Sequence, residues 1–106
     1  MKHQIITEDI LVNAGFEYNK RETELLEKYQ KSFYGIENYK EFRKLTIDVD
    51  IKCPIKLDIN NGHNNRGSQW TVHVDNDCCE TIGSADINTV YEFNLLMKIF
   101  GSKFRL

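Results

Sequence analysis

The sequence predicts a single α+β domain: two N-terminal helices, an antiparallel meander of three or four strands, and a C-terminal helix packed on one sheet face. Three observations carry that expectation. Helix caps and stops bracket two segments before residue 36. From Leu45 to Asp75 apolar residues recur with a period of two, as on half-buried strands. The last segment then returns to helical spacing, with Val90, Phe93, Met97 and Phe100 on one face. At 106 residues the chain is long enough for one core without staples.

Each element has its own warrant. Thr7 can cap a first helix, Glu8 and Asp9 suit its positive end, and Gly15 can take the left-handed stop. Ile10, Leu11 and Ala14 then face inward, and Phe16 anchors the exit. Asn19 with Glu22 three residues on opens a second helix that ends at Gly35. Its inward face is expected to be Leu25, Leu26, Tyr29 and Phe33, with Lys20, Glu24, Lys28 and Lys31 in water. Leu45, Ile47, Val49 and Ile51 form the inward set of a strand that Cys53-Pro54 breaks. Ile55, Leu57 and Ile59 make the next, and Trp70, Val72 and Val74 a third. Glu80-Thr81-Ile82 offers a short edge strand. Ser84 is read as the N-cap of the last helix, running to about Phe100 with Gly101 as its stop. Tyr91, Leu95 and Ile99 form a second apolar stripe there, which the first two helices are expected to cover.

Composition narrows the function classes. The formal net charge of −2 lacks the basic excess that a phosphate-backbone binder carries, so nucleic acid is not expected as a partner. No apolar run approaches the roughly 20 residues of a membrane span. Met1 to Ile6 reads as no leader, so the expected compartment is the cytoplasm, with Cys53, Cys78 and Cys79 as reduced thiols.

Reactive side chains crowd between Trp70 and Ile87, which hold the single Trp, one His, two Cys and four acidic residues. His73 and Asp75 project from one strand face, with Asp58 expected on the neighbouring strand and His63 in the loop above. Imidazole plus carboxylates is the donor set for zinc or a harder divalent ion, so these four form the alternative metal or small-ligand site. The plainer account is the wet face of a half-exposed sheet. Cys78-Cys79 lacks the C-x-x-C spacing of a zinc chelate, and Cys78 meets a base only if the loop folds back onto His73. Asp75-Asn76-Asp77 begins like a calcium loop but has neither the later glycine nor the distant Glu. No glycine cluster leads a strand into a helix to cradle phosphate. No catalytic residue and no cofactor is therefore assigned.

Several segments resemble a known group. Leu11-x-x-x-Gly15-Phe16-Glu17-x-Asn19 is similar to the L-x-x-x-G-F-E-x-N opening of a class of small uncharacterised proteins encoded by phages and mobile elements of gut bacteria. Ile59-Asn60-Asn61-Gly62, Trp70-Thr71-Val72-His73-Val74-Asp75-Asn76 and Ile82-Gly83-Ser84-Ala85-Asp86-Ile87 resemble that class's middle segment. Val90-Tyr91-Glu92-Phe93-Asn94-x-Leu96 is a variant of its closing helix, with Tyr91 where the class has His, which counts against catalysis at that position. The resemblance implies a small intracellular accessory protein and no particular activity. The expected role is then a non-enzymatic protein-binding module, and a homodimer on the last helix is compatible with it. Its expected contacts are Tyr91, Leu95 and Ile99, with His63 and Arg66 in the polar loop. The loop from Asn61 to Ser68 and the connection from Asp75 to Gly83 are expected to lie together beside the central hairpin.

Overall fold

Alternating apolar and polar side chains from Ile55 to Asn60 and from Trp70 to Asn76 give an antiparallel sheet, five-stranded among the described residues, with one greasy face. The computed structural model describes residues 4–46, 55–62, 69–76 and 81–106. The elements are α1 (Glu8–Asn13), β1 (Glu17–Tyr18), α2 (Lys20–Tyr34), β2 (Glu41–Thr46), β3 (Ile55–Asn60), β4 (Trp70–Asn76), β5 (Thr81–Ile87) and α3 (Val90–Ile99). Strand order follows chain order, β1-β2-β3-β4-β5, a plain meander. The α+β class holds, with one strand more than the upper expectation.

Register decides which residues meet. Phe42 lies opposite Ile59, Ile59 opposite Val72 and Val72 opposite Ala85. One row along, Leu57 faces Val74, and Val74 faces Gly83. These residues share the inner face, and Leu57, Ile59, Val72 and Val74 are all buried. Onto them pack Ile6, Leu11 and Phe16 from the N-terminal segment and Phe93 and Met97 from α3. Phe16, Phe93 and Phe104 form a cluster of rings with centroids 5.9 to 6.2 Å apart. Trp70 belongs to this core, and its indole N–H donates to the Ile6 carbonyl at 3.0 Å, tying the N-terminal segment to β4.

The first two helices begin where the caps place them. Thr7 Oγ1 accepts from the Ile10 amide, Asn19 Oδ1 accepts from the Glu22 amide, and Gly35 ends α2 at φ 68°. Leu11 and Phe16 are buried, as their spacing requires.

The segment Gly83–Ile87 corrects the sequence expectation: it belongs to strand β5, and Ser84 is not a helix cap. Ile87 sits opposite Trp70 and Ala85 opposite Val72, so the segment gains a full ladder with β4. Gly83 also leaves the room that α3 needs, because a Cβ there would lie 2.8 Å from the Phe100 ring. The helix starts later, at Thr89, with a complete capping box. Thr89 Oγ1 accepts from the Glu92 amide, and the Glu92 carboxylate accepts from the Thr89 amide. The Asn88 amide, which donates to the same carboxylate at 3.0 Å, together with the Thr89 hydroxyl and amide holds the Glu92 carboxyl below its ordinary range. The face Val90, Phe93, Met97, Phe100 packs on the core as expected.

Two further expectations change. β2 begins at Glu41, four residues before Leu45, within a stretch whose mixed charges resemble a solvated surface. The loop from Asn61 to Ser68 and the connection from Asp75 to Gly83 fall largely outside the described residues. Three residues of the apolar face of α2 stay in water, Leu25 at 63%, Tyr29 at 47% and Phe33 at 70% exposure, while Leu26 is half-buried and the buried residue of the helix is Thr23. The reason is the one-sided sheet. Its inner face is already closed by α1, α3 and the C-terminal residues, while α2 borders the polar face. The same arrangement leaves the α3 stripe Tyr91, Leu95 and Ile99 exposed instead of covered by the first two helices. Cys53, Pro54, Cys78 and Cys79, with the edges read around them, lie outside the described residues.

Two substitutions separate these environments. Phe93→Ala opens a cavity in the ring cluster and should cost about 3 to 5 kcal/mol in urea unfolding. Phe33→Ala, on the exposed helix, should stay within about 0.5 kcal/mol of the wild type. Thr89→Ala removes the cap of α3 and should cost about 1 kcal/mol in the same assay.

Candidate functional site

The polar face carries the chemistry. Register aligns Glu17, Arg43, Asp58, His73 and Ser84 in one row across all five strands. Glu41, Asn60, Thr71 and Asp86 form the next row, and Lys56 faces Asp75 on the other side. Most of this face is half-exposed, yet Asp58 is only 8% and Glu41 9% exposed. Their carboxyls lie diagonally across β2 and β3, a separation of roughly 7 to 8 Å between backbones that long side chains can bridge.

Local bonds explain how two acids tolerate burial. Tyr39 O–H donates to Glu41 Oε2 at 3.1 Å, and Lys56 Nζ lies 3.6 Å from Asp58 Oδ2. Burial pushes the Glu41 carboxyl above its ordinary range, and Asp58 and Glu22 add to the shift, while the Tyr39 bond and His73 oppose it. Burial likewise raises the Asp58 carboxyl, helped by Asp75 and opposed by Lys56 and His73. Burial also holds the Tyr39 phenol well above its usual range, so it remains a donor to Glu41.

The first turn of α2 roofs this part of the face. Asn19, Arg21, Glu22, Glu41, Arg43, Lys56 and Asp58 line a cavity of about 380 Å³. Asn19 holds the junction: its amide donates to the Glu41 carbonyl at 2.7 Å, while Thr23 Oγ1 accepts from the Glu41 amide at 3.1 Å. Further along α2, Gly62 permits close approach, since a Cβ there would lie 2.9 Å from the Tyr39 ring and 3.2 Å from Gln30.

The sequence-derived site is partly assembled. Asp58 does lie on the strand beside His73, directly opposite it, and Asp75 follows on the same face. Among the described residues, however, no group of three or more His, Cys, Asp or Glu is placed to hold a metal ion. Residues two apart on a strand are about 7 Å apart along the chain, and Asp58 turns to Lys56 instead. His63, the fourth proposed ligand, and Arg66 lie outside the described residues. Tyr91, Leu95 and Ile99 do share an exposed side of α3, at 46%, 45% and 72% exposure.

Sequence reasoning missed two features. Glu41, Arg43 and Lys56 were not singled out, because charged residues alternating on a strand have the signature of any wet face. The exposed cluster on α2 has, in sequence, the spacing of a buried face. There Tyr29 packs against the tilted Phe33 ring at 4.7 Å and meets Tyr34 edge-on at 5.7 Å, a patch of aromatic surface beside Leu25.

Comparison with protein-family models, with curated proteins and with solved structures finds no match for this chain.

The buried acids make stability depend on pH with a definite sign. Because the folded state binds these protons more tightly than the unfolded chain, their contribution is complete below the ordinary carboxylate range. It is lost as pH rises through the raised folded values. Asp58→Asn removes one of these linkages, so the stability of the variant relative to wild type should improve between about pH 4 and about pH 8. Urea unfolding at both values checks this, and a pH-independent difference contradicts it.

Proposed function

We propose that this chain is a small non-enzymatic protein-binding module that engages its partner mainly through α2. The observation carrying this reading is the stripe Leu25, Tyr29 and Phe33, at i, i+4 and i+8 on a 15-residue helix and exposed along its length. Large apolar side chains gathered in water are characteristic of interaction surfaces, and a stripe at this spacing is what a helix presents to a hydrophobic groove. Tyr and Phe suit such a role because they bring large contact area with few rotors to freeze. Tyr91, Leu95 and Ile99 on α3 provide a second contact surface, for the same partner or for a second copy of this chain.

The resemblance to small proteins of phages and mobile elements supports an accessory role inside a bacterial host cell, in its cytoplasm. Among the described residues no helix is long and apolar enough to cross a membrane. The near-balanced charge favours a protein partner over nucleic acid.

A tagged pull-down from host lysate, with and without phage infection, tests the reading when run beside the triple variant L25S/Y29S/F33S. We expect one near-stoichiometric partner with the wild type and its loss with the variant. The variant should keep its circular dichroism spectrum and stay folded, because the substituted side chains already sit in water. A partner retained by the folded variant overturns the assignment to α2, and an unfolded variant makes the stripe structural.

A further inference from the structure

Where β1 stops, the sheet presents an open edge that is independent of the α2 surface. β1 pairs through only two positions, Glu17 with Arg43 and Tyr18 with Phe42. Before Glu17 the chain turns away through Gly15, at φ 96°, and Phe16 enters the core. β2 runs on to Thr46, and among the described residues no strand pairs with its outer edge beyond Arg43. Backbone alternation tells what this edge presents. At Glu41 both the carbonyl and the amide face the β1 side, bonding Asn19 and Thr23. Positions 43 and 45 face the same way, and position 45 passes the end of β1, so its amide N–H is directed at the opening.

Three cations and one carboxylate surround that opening. A cleft of about 390 Å³ is lined by Gly15, Glu17, Arg43, Lys44 and Lys56. Arg43 arrives from the polar face and Lys44 from the apolar one, where its cross-strand neighbour is Leu57. The Lys44 stem is held by packing. Its ammonium sits 5.1 Å from the Phe104 ring centroid and 2.6 Å from where a Cβ on Gly15 would lie. Among the described residues neither Arg43 nor Lys44 has a carboxylate within 4.0 Å, and Lys56 has only its 3.6 Å contact to Asp58. Arg43 and Lys56 also line the neighbouring cavity, whose other walls include the buried Asn19, Glu41 and Asp58. Beyond the shared Arg43 and Lys56, one end adds Lys44 and Glu17 and the other adds Arg21, Glu22, Glu41 and Asp58, so cationic donors predominate at one end and carboxyl acceptors at the other.

We propose that this trough binds a small molecule with a phosphate at one end and hydroxyl donors at the other, the chemistry of a phosphorylated sugar or polyol. The phosphate lies against Arg43, Lys44, Lys56 and the amide of position 45. Guanidinium and ammonium donors give charge-assisted bonds there, and the open edge adds a fixed backbone donor. The hydroxyls meet Asp58 and Glu41, which accept hydrogen bonds in a largely buried setting.

The experiment is a titration of the ¹⁵N-labelled protein, followed by amide shifts, with three probes: inorganic phosphate, glucose 6-phosphate and glucose. We expect saturable shifts at residues 43–45 with both phosphates. Glucose 6-phosphate should bind with a Kd of about 1 mM or tighter and about tenfold more tightly than phosphate, and glucose should not saturate. R43Q and K56Q should each weaken both phosphates about tenfold. D58N should weaken glucose 6-phosphate relative to inorganic phosphate, whose own binding should not weaken, because the substitution frees Lys56 from its 3.6 Å contact. K98Q, on the exposed side of α3, should alter nothing. Failure of either phosphate to saturate overturns the proposal, as does equal sensitivity to K98Q or insensitivity of folded R43Q and K56Q. Equal affinity for phosphate and glucose 6-phosphate removes the hydroxyl-binding end and so overturns the ligand class.

Discussion

The register of the central hairpin, Leu57 beside Val74 and Ile59 beside Val72, is the constraint on which the other elements depend. A slip of one residue would turn Asp58, His73 and Asp75 into the core and put the aliphatic set in water, so the pairing is strongly specified. Once it is set, Phe42 and Ala85 extend the apolar face sideways, and the face becomes the surface that α3 and Phe16 must cover. Everything on the reverse side inherits the opposite rule: it has to be polar, and what lands there has to be held by polar bonds.

That asymmetry accounts for the behaviour of α2. The helix is amphipathic by pattern, yet the only surface left for it is the hydrophilic one. It is fastened at its first turn through Asn19 and Thr23 to the backbone of Glu41, and its Leu25, Tyr29 and Phe33 face solvent. Burial of Glu41 and Asp58 follows from the same contact, because the start of α2 shields a part of the sheet that would otherwise be hydrated. Raised carboxyl pKa values are thus a product of docking a helix on a polar face. The protein-binding reading and the phosphate-binding reading both arise from this arrangement, one from the outward side of α2 and one from the sheet beside its N-terminal end.

The edges of the sheet show how small local choices matter. A two-residue β1 leaves part of β2 uncovered, and Arg43, Lys44 and Lys56 flank that gap beside Glu17. At the other edge Gly83 permits Phe100 to sit on β5, so a short glycine-containing strand supports the end of α3. In isolation, Gly-Ser-Ala-Asp carries the composition of a helix start. The ladder to β4 outweighs it, since in-register pairing with Trp70 and Val72 offers more buried surface than a cap offers hydrogen bonds.

Much of this was legible from the residues alone. Period-two alternation determined which side chains of β3 and β4 are buried, and the caps at Thr7 and Asn19 determined where two helices begin, because both depend on interactions within a few residues. Apolar spacing on the last helix also identified Phe93 and Met97 as its inward side. What only the tertiary structure decided was which amphipathic face finds a partner. Leu25, Tyr29 and Phe33 look the same in sequence as Val90, Phe93 and Met97, and the difference is that one stripe meets an apolar sheet face and the other a polar one. The trough beside β1 was hidden for a related reason: Arg43, Lys44 and Lys56 come from two strands and both faces, and only cross-strand pairing brings them to the same opening.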